Sequence, residues 1–294
     1  MYVLASKLGL DAEGPIGMGW LRDLPDFRDY TMQTPVIKNL LAKVNFPKAA
    51  PASVDLRAWC SPIENQGQLG SCTANAGVGL FEYFEKKASS SHIDASRLFL
   101  YKTTRNLLGL TGDTGAYLRS TAEAMVLFGV PPERYYPYDI SKFDNEPTAF
   151  LYSFADNYKV LDYYRYDPPG TPKAQLLSSI KNNLAAGLPS MFGFTVYSSI
   201  SQAVGSGEIP FPSNGEKVLG GHAICAVGYD DAKVITNINN KKSTKGALLI
   251  RNSWGTSWGS SGYGWLPYDY VLNGLASDWW SFLKADWVKT GAFD

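Results

Sequence analysis

Asn65-Gln66-Gly67-Gln68-Leu69-Gly70-Ser71-Cys72-Thr73-Ala74 sets a cysteine six residues after a glutamine and directly ahead of a helical pattern. The pattern runs from Cys72 to about Lys87. Ala74, Val78, Leu80, Phe81 and Phe84 give it a buried face, and Glu82, Glu85 and Lys86-Lys87 lie toward an exposed end. A thiol at a helix N-terminus sits in the helix dipole, which favours the thiolate. A nearby glutamine amide can donate to a developing oxyanion. Gly77 and Gly79 lower helix propensity, so another element is expected to pack closely there.

The chain has only two histidines, His92 and His222, so the choice of a base is nearly forced. His92 lies in the polar run Ser89-Ser90-Ser91-His92-Ile93-Asp94 and reads as an exposed loop residue. His222 lies in Leu219-Gly220-Gly221-His222-Ala223, and Asn252 follows in Leu249-Ile250-Arg251-Asn252-Ser253-Trp254-Gly255. Cys, then His, then Asn, with Gln ahead of the Cys, is a parts list for nucleophilic thiol catalysis.

Composition narrows the remaining classes. The 294 residues predict one large domain or two medium ones, with a substantial core. Lys plus Arg and Asp plus Glu balance at 27 each, so no basic excess points to nucleic acid or a membrane surface. The longest apolar runs fall short of a membrane span. Met1–Leu10 lacks a basic start, a sustained apolar stretch and a small-residue cleavage site, which predicts a cytoplasmic protein, or one exported without a recognisable signal peptide. The three cysteines, Cys60, Cys72 and Cys225, do not suggest a disulfide framework. Cys60 and Cys225 read as buried free thiols, with a mutual bridge as the alternative.

Residues 1–52 differ from the rest. They are broken by Gly14-Pro15, Gly17, Gly19 and Pro25, carry one short helix-like piece over Pro35–Val44, and are expected to lie against the main body. Residues 53–160 predict a mainly helical lobe, with further helices over Ala95–Leu107 and Leu118–Phe128. Residues 161–294 predict a mainly β lobe, with a helix over Lys173–Ala186 and strands over Ser190–Val196, Ala223–Tyr229, Ala247–Asn252, Gly262–Pro267 and Trp280–Val288. Gly205–Gly221 and Asp230–Lys245 read as surface loops. Helices first and strands later give an α+β protein with two lobes.

Over roughly Pro51–Val288 the chain resembles the papain-like cysteine proteases, clan CA, family C1, in a bacterial xylellain-type branch. Besides the pieces above, the resemblance is carried by Val54-Asp55-Leu56-Arg57, Tyr136-Pro137-Tyr138, and Asn252-Ser253-Trp254-Gly255-Thr256-Ser257-Trp258-Gly259 followed by Gly262-Tyr263-Gly264. It implies a helical lobe, a β-barrel-like lobe and an active-site cleft between them. It implies Cys72 as nucleophile, His222 as its acid–base partner, Asn252 holding the imidazole, and Trp254 and Trp258 shielding that contact. Gln66 and the Cys72 backbone N–H would form the oxyanion hole. No cofactor or metal is called for, and the partner is a peptide or protein substrate.

The resemblance also implies a cleft edge at Gly115-Ala116-Tyr117, bonding an extended substrate backbone. Gly193, Gly221, Ala223 and Ala276 would lie at the substrate, and the small Gly193, Ala223 and Ala276 predict an apolar pocket for the side chain two residues before the cut. No spare histidine pair is present, which favours an endopeptidase. The family commonly carries an inhibitory propeptide, so residues 1–52 are expected to occupy the cleft. Departures are Leu69 and Gly112-Asp113-Thr114, where the usual disulfide is missing, and Thr73 and Gly221 beside the catalytic pair. Two other readings stay open: a catalytically silent binding or scaffolding protein, and acyl transfer to an amine through the same cysteine.

Overall fold

The computed structural model describes residues 2–4, 15–160, 162–284 and 287. Most of the Met1–Leu10 stretch and the Val288 end of the last expected strand lie outside the described residues.

The opening segment contributes β1 (Tyr2–Leu4), β2 (Pro15–Gly17), β3 (Trp20–Leu21) and helix α1 (Pro35–Leu41). The middle of the chain adds β4 (Ser53–Asp55), α2 (Cys72–Ser89), α3 (Arg97–Leu107), β5 (Ala116–Tyr117), α4 (Leu118–Leu127) and α5 (Ala149–Ala155). The last part adds β6 (Asp162–Arg165), α6 (Lys173–Ala185), β7 (Ser190–Tyr197), β8 (Val218–Thr236), β9 (Ser243–Arg251), β10 (Tyr263–Pro267), α7 (Tyr268–Leu272) and β11 (Ala276–Leu283). The main sheet is antiparallel in the order β10-β9-β8-β7-β11-β6, with β4 added to β8. Helices and sheet together make the expected papain-like α+β architecture.

Helix α2 lies at the centre, against α3, α4 and β8. Every residue from Cys72 to Phe84 is buried, including Glu82, which was expected toward the exposed end and instead accepts Ala95 N at 2.8 Å. It ends where Ser90 turns left-handed behind Lys86 and Lys87, whose charges complement the C-terminal dipole. Gly77 faces Leu100, Thr121 and Met125, and Gly79 lies under the Arg251 guanidinium, so both glycines mark close neighbours as expected.

Three readings of loops and strands change. Asp230–Lys245 is not a loop, because β8 and β9 continue through it as a long hairpin, pairing Val234 with Lys245 and Thr236 with Ser243. Its polar composition reflects a solvated ribbon, while Ile235 still faces inward at 2% exposure. Likewise β8 begins at Val218, inside the other expected loop, and β11 begins at Ala276, four residues before the expected start at Trp280. Helix α5 and strand β6 carried no pattern strong enough to be read.

The part of residues 1–52 that the structure describes packs on the body. In α1, Ile37, Leu40 and Val44 just beyond it join the main core. Before it, Tyr30 O accepts the Arg165 N–H at 2.7 Å and Thr31 bridges to Arg165.

Candidate active site

Cys72 is the first residue of α2, and its turn is held by a side-chain chain. Asn75 Nδ2 donates to Ser71 Oγ at 3.1 Å, Ser71 Oγ lies 2.6 Å from Tyr138 Oη, and Tyr138 donates to Gln66 O at 3.0 Å. Tyr138 therefore ties the helix start to the Gln66 loop. That loop also crosses to the β lobe, where Gln66 N donates to Ser253 O and Asn65 bridges to Trp254.

On the β lobe, His222 sits on β8 and Asn252 directly follows β9. The Asn252 amide oxygen accepts from Ser253 N at 2.8 Å, which fixes which way the amide faces. The same oxygen lies 2.8 Å from His222 Nε2, so Nε2 carries the hydrogen. His222 Nδ1 is left without a hydrogen-bond partner and is the nitrogen available to a thiol proton. Trp254 covers the imidazole with ring centroids 4.6 Å apart and 25° between planes, and Trp258 meets Trp254 edge-on.

Both reactive groups are sealed from solvent. Burial pushes the Cys72 thiol up to about 11, against the pull of the Ala223 and Gly19 N–H groups. Burial brings His222 down to about 4, despite the Asn252 contact. At neutral pH the sealed pair is thus a neutral thiol and a neutral imidazole.

The seal is residues 15–23 of the chain itself, a strap lying across Cys72. Gln66 uses both amide hydrogens, one on Leu69 O and one on Gly17 O of the strap, each at 2.9 Å. Ser253 Oγ donates to Gln66 Oε1 at 2.5 Å and so fixes this orientation. Gly19 N donates to Cys72 Sγ at 3.3 Å, and Gly19 O accepts Ala116 N at 2.8 Å. Trp20-Leu21 then pairs in parallel with Ala116-Tyr117. The strap comes this close because Gly17 and Gly19 lack a Cβ, which would collide with the Leu69 and Gly70 carbonyls.

The expected pocket residues do come together. Gly193 pairs with Ala223 on β8 and with Ser277 on β11, while Ala276 pairs with Phe194. Trp20 occupies this space, its indole where a Gly193 side chain would stand and against Gly221. The pocket is not wholly apolar, however. A bulge between Ser277 and Trp280 places Asp278 in the left-handed region at φ 58°, and Trp20 Nε1 donates to its carboxylate at 3.1 Å. Asp23 N donates to the same oxygen at 2.8 Å. Arg165 binds the other Asp278 oxygen at 2.7 Å and Asp167 at 2.9 Å.

Asp23 is buried beside this group, accepting from Trp280 Nε1 at 2.8 Å. Its burial and the neighbouring Asp278 raise its carboxyl to about 7. Sequence reasoning missed the roles of Asp23, Arg165 and Asp278, because neither the bulge nor the ion pairs between distant segments leave a local pattern. It also missed Asp113. Where the family's disulfide is lacking, Asp113 accepts Gly70 N at 2.9 Å and Tyr101 Oη at 2.6 Å, joining the segments by hydrogen bonds. Cys60, Cys72 and Cys225 are all free and buried, and Cys225 Sγ instead donates to Ala76 O at 3.2 Å.

Comparisons with known proteins converge on one family. The model of the papain family cysteine protease matches residues 50–277. A peptidase C1-like protein of Acanthamoeba polyphaga mimivirus is 34% identical over 276 residues, covering 89% of this chain and 85% of that protein. Cathepsin K of Gallus gallus is 30% identical over 224 residues, 73% of this chain and 58% of its own. The crystal structure of xylellain, a cysteine protease from Xylella fastidiosa, superposes with a TM-score of 0.71 at 33% identity, covering 91% of this chain and 96% of the other. The chain belongs to the papain family of cysteine proteases and is a cysteine peptidase.

Proposed function

We propose that this peptidase is an endopeptidase held in a self-blocked form by its own N-terminal strap. The observation that carries the reading is the Gly17 carbonyl on Gln66 Nε2, with Gly19 on the Cys72 sulfur and Trp20 in the adjoining pocket. In a peptide awaiting cleavage, the residue in that pocket precedes the carbonyl at the sulfur. In the strap Trp20 follows it. The strap thus occupies the substrate's place with its chain reversed, and presents no bond for attack in the productive sense.

With the strap displaced, Cys72 passes its proton to His222 Nδ1 and attacks the substrate carbonyl as a thiolate. Gln66 then has one amide hydrogen free for the oxyanion, while Leu69 O keeps the other. His222 gives the proton to the leaving amine and later takes one from the water that hydrolyses the thioester. Asn252 and Trp254 hold the ring and keep water from the Asn–His contact.

Labelling with an epoxide inhibitor of papain-like enzymes, read by mass spectrometry, tests this reading. Slow labelling at Cys72 in the full chain, much faster labelling in Trp20→Ala, and none in Cys72→Ala are expected. A folded Trp20→Ala chain with no labelling would favour a silent binding protein.

A further inference from the structure

The opening segment consists of two parts with different attachments, joined by a turn. The strap ends at Asp23, which is anchored to Asp278 and Trp280. The body resumes at Asp29, whose carboxylate takes two hydrogen bonds of 2.7 Å from Arg119 and lies 3.5 Å from Arg165. Between these anchors Leu24 is 73% and Phe27 99% exposed. Among the described residues one hydrogen bond ties this turn to the body, Arg119 to Leu24 O at 2.7 Å, while the ion pair of Arg28 is with Asp26 inside the turn.

We propose that the turn between Leu24 and Asp29 is the maturation site of the chain, where hydrolysis of one peptide bond releases the strap and leaves Asp29 onward as a permanent part of the enzyme. The inference rests on the self-blocked peptidase reading above. Exposed turns with few contacts are where chains are nicked. The reaction adds one water across the cut amide, leaving a carboxylate on the strap and an ammonium on the body. The strap is then held by noncovalent contacts alone, and no longer by its covalent tie to α1.

The linker over residues 45–50, exposed through residue 49, is another accessible stretch, but a cut there would not open the cleft. Everything before it would stay seated by Ile37 and Leu40 in the core, and by Tyr30 and Thr31 against Arg165. The strap would remain attached to that seated piece. Removing all of it would strip apolar cover from the core. Beyond the linker, Pro51 O and Ala52 O are already fixed by Tyr229 and Asp231.

The test has two arms. In the first, full-length Cys72→Ala is nicked with limiting trypsin or chymotrypsin, the cut is located by mass spectrometry, and the fragments are separated by size exclusion. The earliest cut is expected between Leu24 and Asp29, with the strap eluting apart from the body. An earliest cut in 45–50 that frees the whole preceding piece would overturn the proposal. In the second, chains beginning at Asp29 and at Pro51, each behind an initiator methionine, are compared for melting temperature and for epoxide labelling at Cys72. The Asp29 chain should melt like the full chain and label at least tenfold faster, while the Pro51 chain should melt lower or fail to fold. A Pro51 chain as stable and as reactive as the Asp29 chain would overturn it. Absence of labelling in every chain would reject the peptidase reading, while the position of the cut still judged the maturation site.

Discussion

Trp20 reaches Asp278 across almost the whole length of the chain, its indole N–H 3.1 Å from the carboxylate at the end of the pocket beside Gly193. The large ring supplies apolar burial and the hydrogen bond fixes its depth. Truncation in Trp20→Ala should weaken strap docking by on the order of 3 kcal/mol. Trp20→Phe keeps most of the burial and should lose about 1 kcal/mol. Epoxide labelling rates should therefore rise in the order wild type, Trp20→Phe, Trp20→Ala, with little change in melting temperature of the body. Equal rates in all three would remove Trp20 from the blocking contact.

The same carboxylate should shape substrate choice once the strap is gone. Arg165 shares its charge between Asp278 and Asp167, so the pocket end offers an acceptor whose negative charge is partly offset. Peptides with Trp two residues before the cut should be preferred to Phe by about fivefold in kcat/KM, the worth of about one hydrogen bond. That preference should vanish in Asp278→Ala. A peptide series ranking Arg first would show that the pocket is acidic in effect.

Gly19 lets the strap pass against Gly70. In Gly19→Ala the added methyl would collide with the Gly70 carbonyl, and the strap should leave the cleft. The expected result is an active full-length enzyme, with labelling approaching that of a strap-free chain. A crystal structure of Gly19→Ala with the strap still in place would contradict this.

Docking should depend on pH through Asp23. Its carboxyl titrates near 7 in the docked strap, raised by burial and by Asp278, and returns to the ordinary range of 3.8 when the strap is free. Asp278 and Asp167 are also raised by burial, while Arg165 and Arg119 oppose the shift at Asp23. The docked form therefore binds more protons than the open one between these values. Docking is strongest below the free value and weakens as pH rises through about 7. The ratio of full-length to strap-free labelling rate should climb from pH 4 to 8 and flatten in Asp23→Asn. A ratio that falls with pH would reverse the sign of this linkage.

Gln66 and Asp113 separate chemistry from support. In a strap-free chain, Gln66→Ala should lower kcat roughly 100- to 1,000-fold by removing an oxyanion donor. Ser253→Ala, which frees the Gln66 amide to rotate, should lower kcat by about tenfold and leave KM nearly unchanged. Asp113→Ala leaves the Gly70 N–H and the Tyr101 hydroxyl without their acceptor. It should cost about 2 kcal/mol of stability. Reductant should leave the melting temperature of the wild type unchanged, because none of its cysteines is paired.

The candidate constellation could be picked out because each member sits beside a local pattern: Cys72 at an expected helix start, His222 just ahead of an expected strand, and Asn252 at a strand end before Ser-Trp-Gly. Helix α2 was legible for the same reason. Its apolar face is continuous, and its two glycines announced close neighbours. The Asp230–Lys245 ribbon was not, since a hairpin with solvated faces has the composition of a loop. Asp278 was hidden by a bulge, which shifts one residue out of the alternation that a strand reading follows. The course of residues 15–23 depends on contacts with positions some fifty to more than two hundred residues away, and no local propensity encodes those.

Helix α1 belongs to the core, so in the uncut chain the strap stays tethered beside the site it crosses. Its ligand-like residues stay within a few residues of the cleft they fill, at an effective local concentration on the order of millimolar. Opening is then a unimolecular equilibrium, indifferent to how dilute the protein becomes. A competing peptide supplied from outside must outbid that local concentration before it gains any occupancy. Severing the turn converts the same contacts into an ordinary bimolecular complex, which dilution alone can empty.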